Sequence, residues 1–146
     1  RRPGMATLQA SFTLLPFAPP PPYMGNVTIT GTVALTPTGL SATYRLQGDL
    51  SGISVPAPAR GRREGLWEDT CCELFVGPAG QDVYWEANLS PSTQWEVYRF
   101  MAYRKEGAEE LAVSDVEVEV DTGGALELRA EVPLALAGLD VAGGAF

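Results

Sequence analysis

The chain has 146 residues, 45% of them hydrophobic, so one domain can bury a substantial core without metal or disulfide support. Acidic residues outnumber basic ones 18 to 10, and the net charge of −8 argues against a nucleic-acid surface and favours a neutral or cationic ligand. The chain contains no histidine, which removes the usual general base and the Ser-His and Cys-His catalytic pairs, so we do not expect an enzyme.

We expect no signal peptide, because RRPGMATLQASF lacks its apolar run. No stretch approaches the ~20 apolar residues of a membrane span, so no membrane partner is expected. Cys71 and Cys72 are the only cysteines, and their adjacency disfavours a disulfide between them. Together these features favour a cytoplasmic location.

The first distinctive segment is LLPFAPPPPYMG at residues 14–25, which contains five prolines. Proline supplies no backbone donor to a sheet, so the sequence predicts an extended polyproline-type segment lying over its own domain, or alternatively binding an aromatic groove. We therefore divide the chain into a proline-rich N-terminal segment, 1–25, and a β-domain, 26–146.

Strand periodicity begins after this segment. VTITGTVAL, residues 27–35, and LSATYRLQ, residues 40–47, both alternate with period two, and TPTG between them predicts a hairpin connection. The expected inward residues are Val27, Ile29, Val33 and Leu35 in the first strand and Leu40, Ala42, Tyr44 and Leu46 in the second.

A long loop is predicted at residues 48–65, where Gly, Pro, Ser and Arg dominate. Further strands are predicted near 71–76, 82–89, 95–104, 113–120 and 125–134, and no long amphipathic helix is visible. About seven short strands with regular turn signals predict an all-β fold, an antiparallel β-sandwich of the immunoglobulin or jelly-roll kind.

The segment LWEDTCCELFV, residues 66–76, combines an aromatic side chain, carboxylates and thiols. In a strand, Glu73 shares a face with Cys71 and Phe75, so we expect its charge to be paired, hydrogen-bonded or metal-bound. The candidate partners are Arg45, Arg99 and Arg104. Calcium at Glu68-Asp69 is a lesser possibility, because no compact Asp-rich loop is present.

The next strand, VYWEANL, places Glu86 and Asn88 two residues apart on one face, beside aromatic side chains. Short polar groups next to a stacking plane suit sugar hydroxyls, although a solvated strand face has the same pattern. Trp95, Tyr98 and Tyr103 lie in the following strand, where aromatic side chains serve either the core or a ligand.

The sequence from Trp67 to Arg104 resembles the bacterial DOMON-like domains related to the family-nine carbohydrate-binding modules. A Trp and an acidic pair precede a Glu-containing strand, and an E-x-N-x-S-P-S segment leads to a Trp and a Y-x-F-x-x-Y-R strand. The matching residues are Trp67, Cys71, Glu73, Leu74, Phe75, Glu86, Asn88, Ser90, Pro91, Ser92, Trp95, Tyr98, Phe100, Tyr103 and Arg104. Cys72, Ala87 and Leu89 depart from it, since larger aromatics are expected there.

The resemblance implies a β-sandwich that binds sugars, or in some relatives haem, at one edge or end. We expect a non-catalytic carbohydrate-binding domain in which Trp67 stacks on a sugar. The expected ligand-binding residues are Trp67, Glu73, Glu86, Asn88, Trp95, Tyr98, Arg99 and Tyr103.

Two alternatives stay open. The first is a protein-interaction or structural module without a small-molecule ligand. The second is a haem or redox domain, which is disfavoured because Met101 and Lys105 make a poor pair of axial ligands. Similar sequences continue past the equivalent of Phe146, so C-terminal edge strands are expected to be missing, and strand exchange between copies is a possible route to a homo-oligomer.

Overall fold

The computed structural model describes residues 8–16, 26–36, 39–103 and 105–134. Its strands are β1 (Leu8–Leu14), β2 (Val27–Thr36), β3 (Gly39–Gly48), β4 (Gly61–Arg62), β5 (Cys72–Val76), β6 (Tyr84–Leu89), β7 (Gln94–Phe100), β8 (Ala108–Glu109), β9 (Glu117–Asp121) and β10 (Leu126–Val132). One short 3₁₀ helix, Leu66–Glu68, precedes β5. None of the described residues forms a helix with the length and apolarity needed to cross a membrane.

The strands form two five-stranded sheets, which confirms the predicted all-β sandwich. The first sheet has the order β1-β2-β3-β10-β9 and is antiparallel throughout. The second has the order β4-β7-β6-β5, with β8 also paired to β7, and only the β4–β7 pair is parallel.

The core lies between the two sheets and contains the residues that alternation marked as inward, except Val27, which is half-buried outside it. In β3, Leu40, Ala42, Tyr44 and Leu46 are all buried, as predicted. They meet Leu74 and Val76 of β5 and the inward residues of β6 and β7 in one hydrophobic cluster. The Tyr44 hydroxyl also donates a 2.8 Å hydrogen bond to the Glu73 carbonyl oxygen, which joins the sheets.

Strand β1 was not predicted from the sequence, although LQASFTL alternates with period two directly before the proline segment. Its residues pair with β2 from Leu8↔Leu35 to Leu14↔Ile29. Phe12 packs edge-on against Tyr44, with ring centroids 5.6 Å apart. The first sheet therefore includes residues from the N-terminal side of the predicted boundary at 25, and the domain division itself stays a prediction.

Strand β7 is shorter than predicted, whereas the β2–β3 hairpin forms as predicted. The strand predicted at 95–104 ends at Phe100, because the chain bends at residues 101–103, where Met101 and Tyr103 are 62% and 77% exposed. Strands β2 and β3 pair as the predicted hairpin, with Thr36 opposite Gly39. Residues 17–25 of the proline segment and residues 37–38 of the hairpin connection lie outside the described residues.

Candidate functional site

The outer face of the second sheet, turned away from the core, carries most of the polar and aromatic residues predicted to bind a ligand. Strand alternation places Glu73 and Phe75 of β5, Tyr84, Glu86 and Asn88 of β6, Glu96, Tyr98 and Phe100 of β7, and Glu109 of β8 on this face. The register aligns Phe75, Glu86, Tyr98 and Glu109 in one row across four strands.

Five aromatic side chains form a connected cluster on this outer face, which we call the aromatic cluster. Tyr84 and Phe100 stack with centroids 4.8 Å apart and planes within 6°. The remaining neighbours lie 6.3 to 6.4 Å apart in the sequence Trp67–Tyr98–Phe100–Tyr84–Phe75. Trp67 and Phe75, at the two ends, are 56% and 42% exposed, so flat apolar rings remain open to a ligand.

Trp67 owes its exposure to the turn that carries it. The 3₁₀ helix Leu66–Glu68 follows Gly65, whose φ of 78° lies in the left-handed region that glycine adopts without strain. Leu66 is buried and lies outside the main core cluster, whereas Trp67 beside it reaches the ring of Tyr98. The turn therefore anchors itself through Leu66 and presents Trp67 at the surface.

Glu86 lies within the aromatic cluster. It is half-buried, with Phe75 and Tyr98 directly opposite it in the two neighbouring strands. Burial raises the pKa of Glu86, and the nearby Glu73 carboxylate raises it further. No ion pair or hydrogen bond to the Glu86 carboxylate is found within the described residues.

Three buried polar atoms lie near the aromatic cluster without a hydrogen-bond partner in the described part of the chain. They are Asn88 Oδ1, Glu96 Oε2 and the Tyr98 hydroxyl. Asn88 and Glu96 are each 1% exposed and occupy opposite positions of β6 and β7. Burial, followed by the Glu96 carboxylate, raises the pKa of Tyr98 to about 12. Burying a polar group without a hydrogen-bond partner costs free energy, so these three atoms leave part of the hydrogen-bonding capacity of this region unused.

Arg62 is a structural residue that sequence reasoning missed. Its Nε donates to Glu96 Oε1 at 2.6 Å, and its terminal nitrogens donate to the carbonyl oxygens of Val113, Glu110 and Val97 at 2.8, 2.9 and 3.4 Å. Its guanidinium carbon lies 4.8 Å from the Trp95 ring centre. Arg62 therefore fills the gap between β4 and β8 along β7. The motif GRREG, residues 61–65, contains nothing that distinguishes Arg62 from the adjacent Arg63 in the sequence.

The remaining predicted site residues do not all reach the outer face. Trp95 is 2% exposed within the core, where a ligand at the surface cannot stack on it. Arg99 alternates with the inward-facing Trp95 and Val97 of β7, but it is exposed because it lies near the end of the strand. Tyr103 is exposed in the bend after β7. The structure thus brings together Trp67, Glu73, Glu86, Asn88 and Tyr98, and it leaves these three outside that group.

The predicted ion pair of Glu73 is not found within the described residues. Glu73 is exposed at the outer face, and Arg45 instead pairs with Glu127 at 3.0 Å. The expectation treated Glu73 as buried, whereas β5 is the last strand in the order of its sheet and leaves that position open to solvent. Arg104, another proposed partner, lies outside the described residues.

Cys72 is the first residue of β5 and Cys71 directly precedes it, and both are half-buried free thiols, so their predicted placement on opposite faces stays a prediction. Burial raises the pKa of Cys71 to about 11 and that of Cys72 to about 12, so both are protonated at neutral pH.

Within the described residues, no group of three or more Cys, Asp or Glu side chains has a metal-binding arrangement. Glu68 and Asp69 therefore gain no support as calcium ligands.

Comparison with known proteins supports the fold. No family model and no curated protein sequence matches the chain. The chain is similar to the crystal structure of a candidate carbohydrate-binding protein from Bacteroides uniformis ATCC 8492, with a TM-score of 0.57 and 21% identity. The match covers 75% of this chain and 53% of that protein, so the chain spans about half the length of this relative. The likeness shows the β-sandwich, and membership of the DOMON-like family stays a prediction.

Proposed function

We propose that this domain is a non-catalytic carbohydrate-binding module whose site is the outer face of the second sheet. The observation that carries the proposal is the aromatic cluster with its exposed ends at Trp67 and Phe75, set beside the carboxylates of Glu73 and Glu86. Aromatic faces accept the apolar C–H faces of a pyranose, and carboxylates accept hydrogen bonds from its hydroxyls.

The likeness to a candidate carbohydrate-binding protein supports the same class of ligand by analogy of fold. The residue inventory also supports binding without catalysis, because the chain has no histidine and both thiols have raised pKa values. Asn88, Glu96 and Trp95 are too deeply buried to contact a sugar directly. In this proposal Asn88 and Glu96 support the floor of the site, and Trp95 supports the core beneath it.

Tryptophan fluorescence tests the proposal directly. Of the three tryptophans, Trp85 and Trp95 are 8% and 2% exposed, so surface quenching reports chiefly on Trp67. We expect saturable quenching by monosaccharides or oligosaccharides, and calorimetry should show at least a tenfold loss of affinity in Trp67→Ala, the weakening expected when about 1.4 kcal/mol of stacking is removed.

The matched control is Leu15→Ala, which removes an 84% exposed apolar side chain that follows β1 in the first sheet. It should leave sugar affinity unchanged. Equal affinity of wild type and Trp67→Ala for every sugar that binds would remove the outer face as the site, and no binding by a folded, monodisperse sample would remove the carbohydrate function.

A second candidate function, protein interaction, is favoured by the outer edge of β5, beside which no further strand lies among the described residues. Ala10, Phe12 and Val33 of the first sheet and Leu74 and Phe75 of β5 line an apolar groove of about 290 Å³. A strand edge that pairs with none of the described strands, next to an apolar groove, suits the addition of an extended segment. A concentration-dependent oligomer that dissociates when Phe12 is replaced by Asp, combined with no sugar binding, would support this function over the first.

A further inference from the structure

The outer face of the second sheet is rich in negative charge. Its outward strand positions hold four carboxylates, at Glu73, Glu86, Glu96 and Glu109, and no Lys or Arg. Only Glu96 has a described cationic partner, which is Arg62. Glu96 is buried, so the charge that a ligand can reach comes from Glu73, Glu86 and Glu109. The surface available to a ligand is therefore aromatic and anionic, and a neutral sugar does not require that charge.

Glu86 is the carboxylate best placed to use that charge. It lies between Phe75 and Tyr98, whose side chains begin about 5 Å away in the directly opposed strand positions. Glu73 lies diagonally across the β5–β6 pair, near enough to raise the pKa of Glu86. Two carboxylates that repel each other inside an aromatic surface would both be stabilised by one cation placed between them.

Two unpartnered polar atoms lie beneath the same face, too deeply buried to contact a ligand themselves. The Tyr98 hydroxyl is directly across the strand pair from Glu86, and Asn88 Oδ1 is two residues along β6 on the same side. A ligand that donates hydrogen bonds while carrying positive charge matches this face, whose accessible polar groups, Glu73 and Glu86, are carboxylate acceptors. An anionic sugar would meet repulsion there.

From these observations we infer that the preferred ligand is an amino sugar, whose protonated amine binds at Glu86 beside the rings of Phe75 and Tyr98 while its pyranose ring lies on the aromatic cluster. This inference depends on the proposed carbohydrate function and specifies the class of sugar. The cation gains both the attraction of the two carboxylates and a cation–π contact with the neighbouring rings.

The experiment compares glucosamine, glucose and N-acetylglucosamine by calorimetry at neutral pH, with wild-type protein and with Glu86→Gln. Wild type should bind glucosamine about tenfold more tightly than glucose or the acetylated sugar, because acetylation removes the charge and leaves the ring. In Glu86→Gln the ratio of glucosamine to glucose affinity should fall to near one. Glu73→Gln should lower that ratio by a smaller factor.

Glu117→Gln is the matched control, because it makes the same change in net charge on β9 of the first sheet. Its ratio should equal that of wild type. Equal affinity of wild type for all three sugars, or an undiminished preference for glucosamine in Glu86→Gln, would overturn the amino-sugar inference while leaving the carbohydrate function in place. Failure of all three sugars and of their oligomers to bind would remove both.

Discussion

Replacing Arg62 by Met should destabilise the domain more than its place in the two-residue strand β4 suggests. Arg62 is the described partner of Glu96, a carboxylate that is 1% exposed, and it donates to three carbonyl oxygens along β7 and the segment after β8. Methionine keeps much of the apolar stem, so the substitution removes the charge and the donors while largely preserving the volume near Trp95.

The expected loss follows from these contacts. Removing one partner of a buried ion pair costs about 3–5 kcal/mol, since the other charge remains buried. Arg62 is 24% exposed, so water can solvate part of the gap and we expect a loss near the lower limit, about 3 kcal/mol. For a chain of this size, that corresponds to a fall in melting temperature of roughly 10 °C.

Urea denaturation of wild type, Arg62→Met and Arg63→Met measures this loss, with Arg63 as an exposed neighbour that should change stability by less than about 0.5 kcal/mol. Adding Glu96→Gln to Arg62→Met should restore part of the loss, because the orphaned charge is gone. A loss in Arg62→Met no larger than in Arg63→Met would show that the Arg62 contacts do not stabilise the fold.

Three further predictions concern the second sheet. Tyr44→Phe should cost about 1 kcal/mol in urea denaturation, because it removes the hydrogen bond to the Glu73 carbonyl, and an unchanged midpoint would contradict that bond. The raised pKa of Glu86 means that this carboxyl binds a proton more readily in the folded state than in the unfolded state. Protonated Glu86 therefore stabilises the fold fully below the ordinary pKa of Glu, and this stabilisation is lost as pH rises through the raised pKa. Glu86→Gln should therefore be more stable than wild type at neutral pH, and a gain that persists unchanged in acid would contradict the cause. The thiols of Cys71 and Cys72 should react with iodoacetamide far more slowly at neutral pH than those of the unfolded chain, and equal rates would exclude the raised pKa values.

The architecture could be predicted from the sequence because strand alternation is a local property. Period two in residues 27–35 and 40–47 placed Val33, Leu35 and Tyr44 inward before any contact was known, and the structure buries all three. The opposite faces of Cys72 and Glu73 followed from the same rule. Strand β1 was left unpredicted although LQASFTL follows the same alternation, and its pairing with β2 is complete.

The candidate site could be predicted only in part. Trp67, Glu73 and Glu86 were identified from residue type and resemblance, and the structure places them on or beside one face. Trp95 looked equivalent to Trp67 by type, yet it is buried in the core. Aromatic residues serve cores and ligands alike, so composition alone cannot assign one to either role.

The sequence by itself determined which residues alternate, and hence the sandwich and the two faces of each strand. Only the tertiary structure decided which strands became neighbours, and this pairing assembled the aromatic cluster around Glu86 from β5, β6, β7 and the 3₁₀ turn. It also decided that Arg62 reaches Glu96 across 34 residues of chain. Alternation depends on adjacent residues, whereas register and long-range ion pairs depend on the packing of the whole chain, which no local pattern encodes.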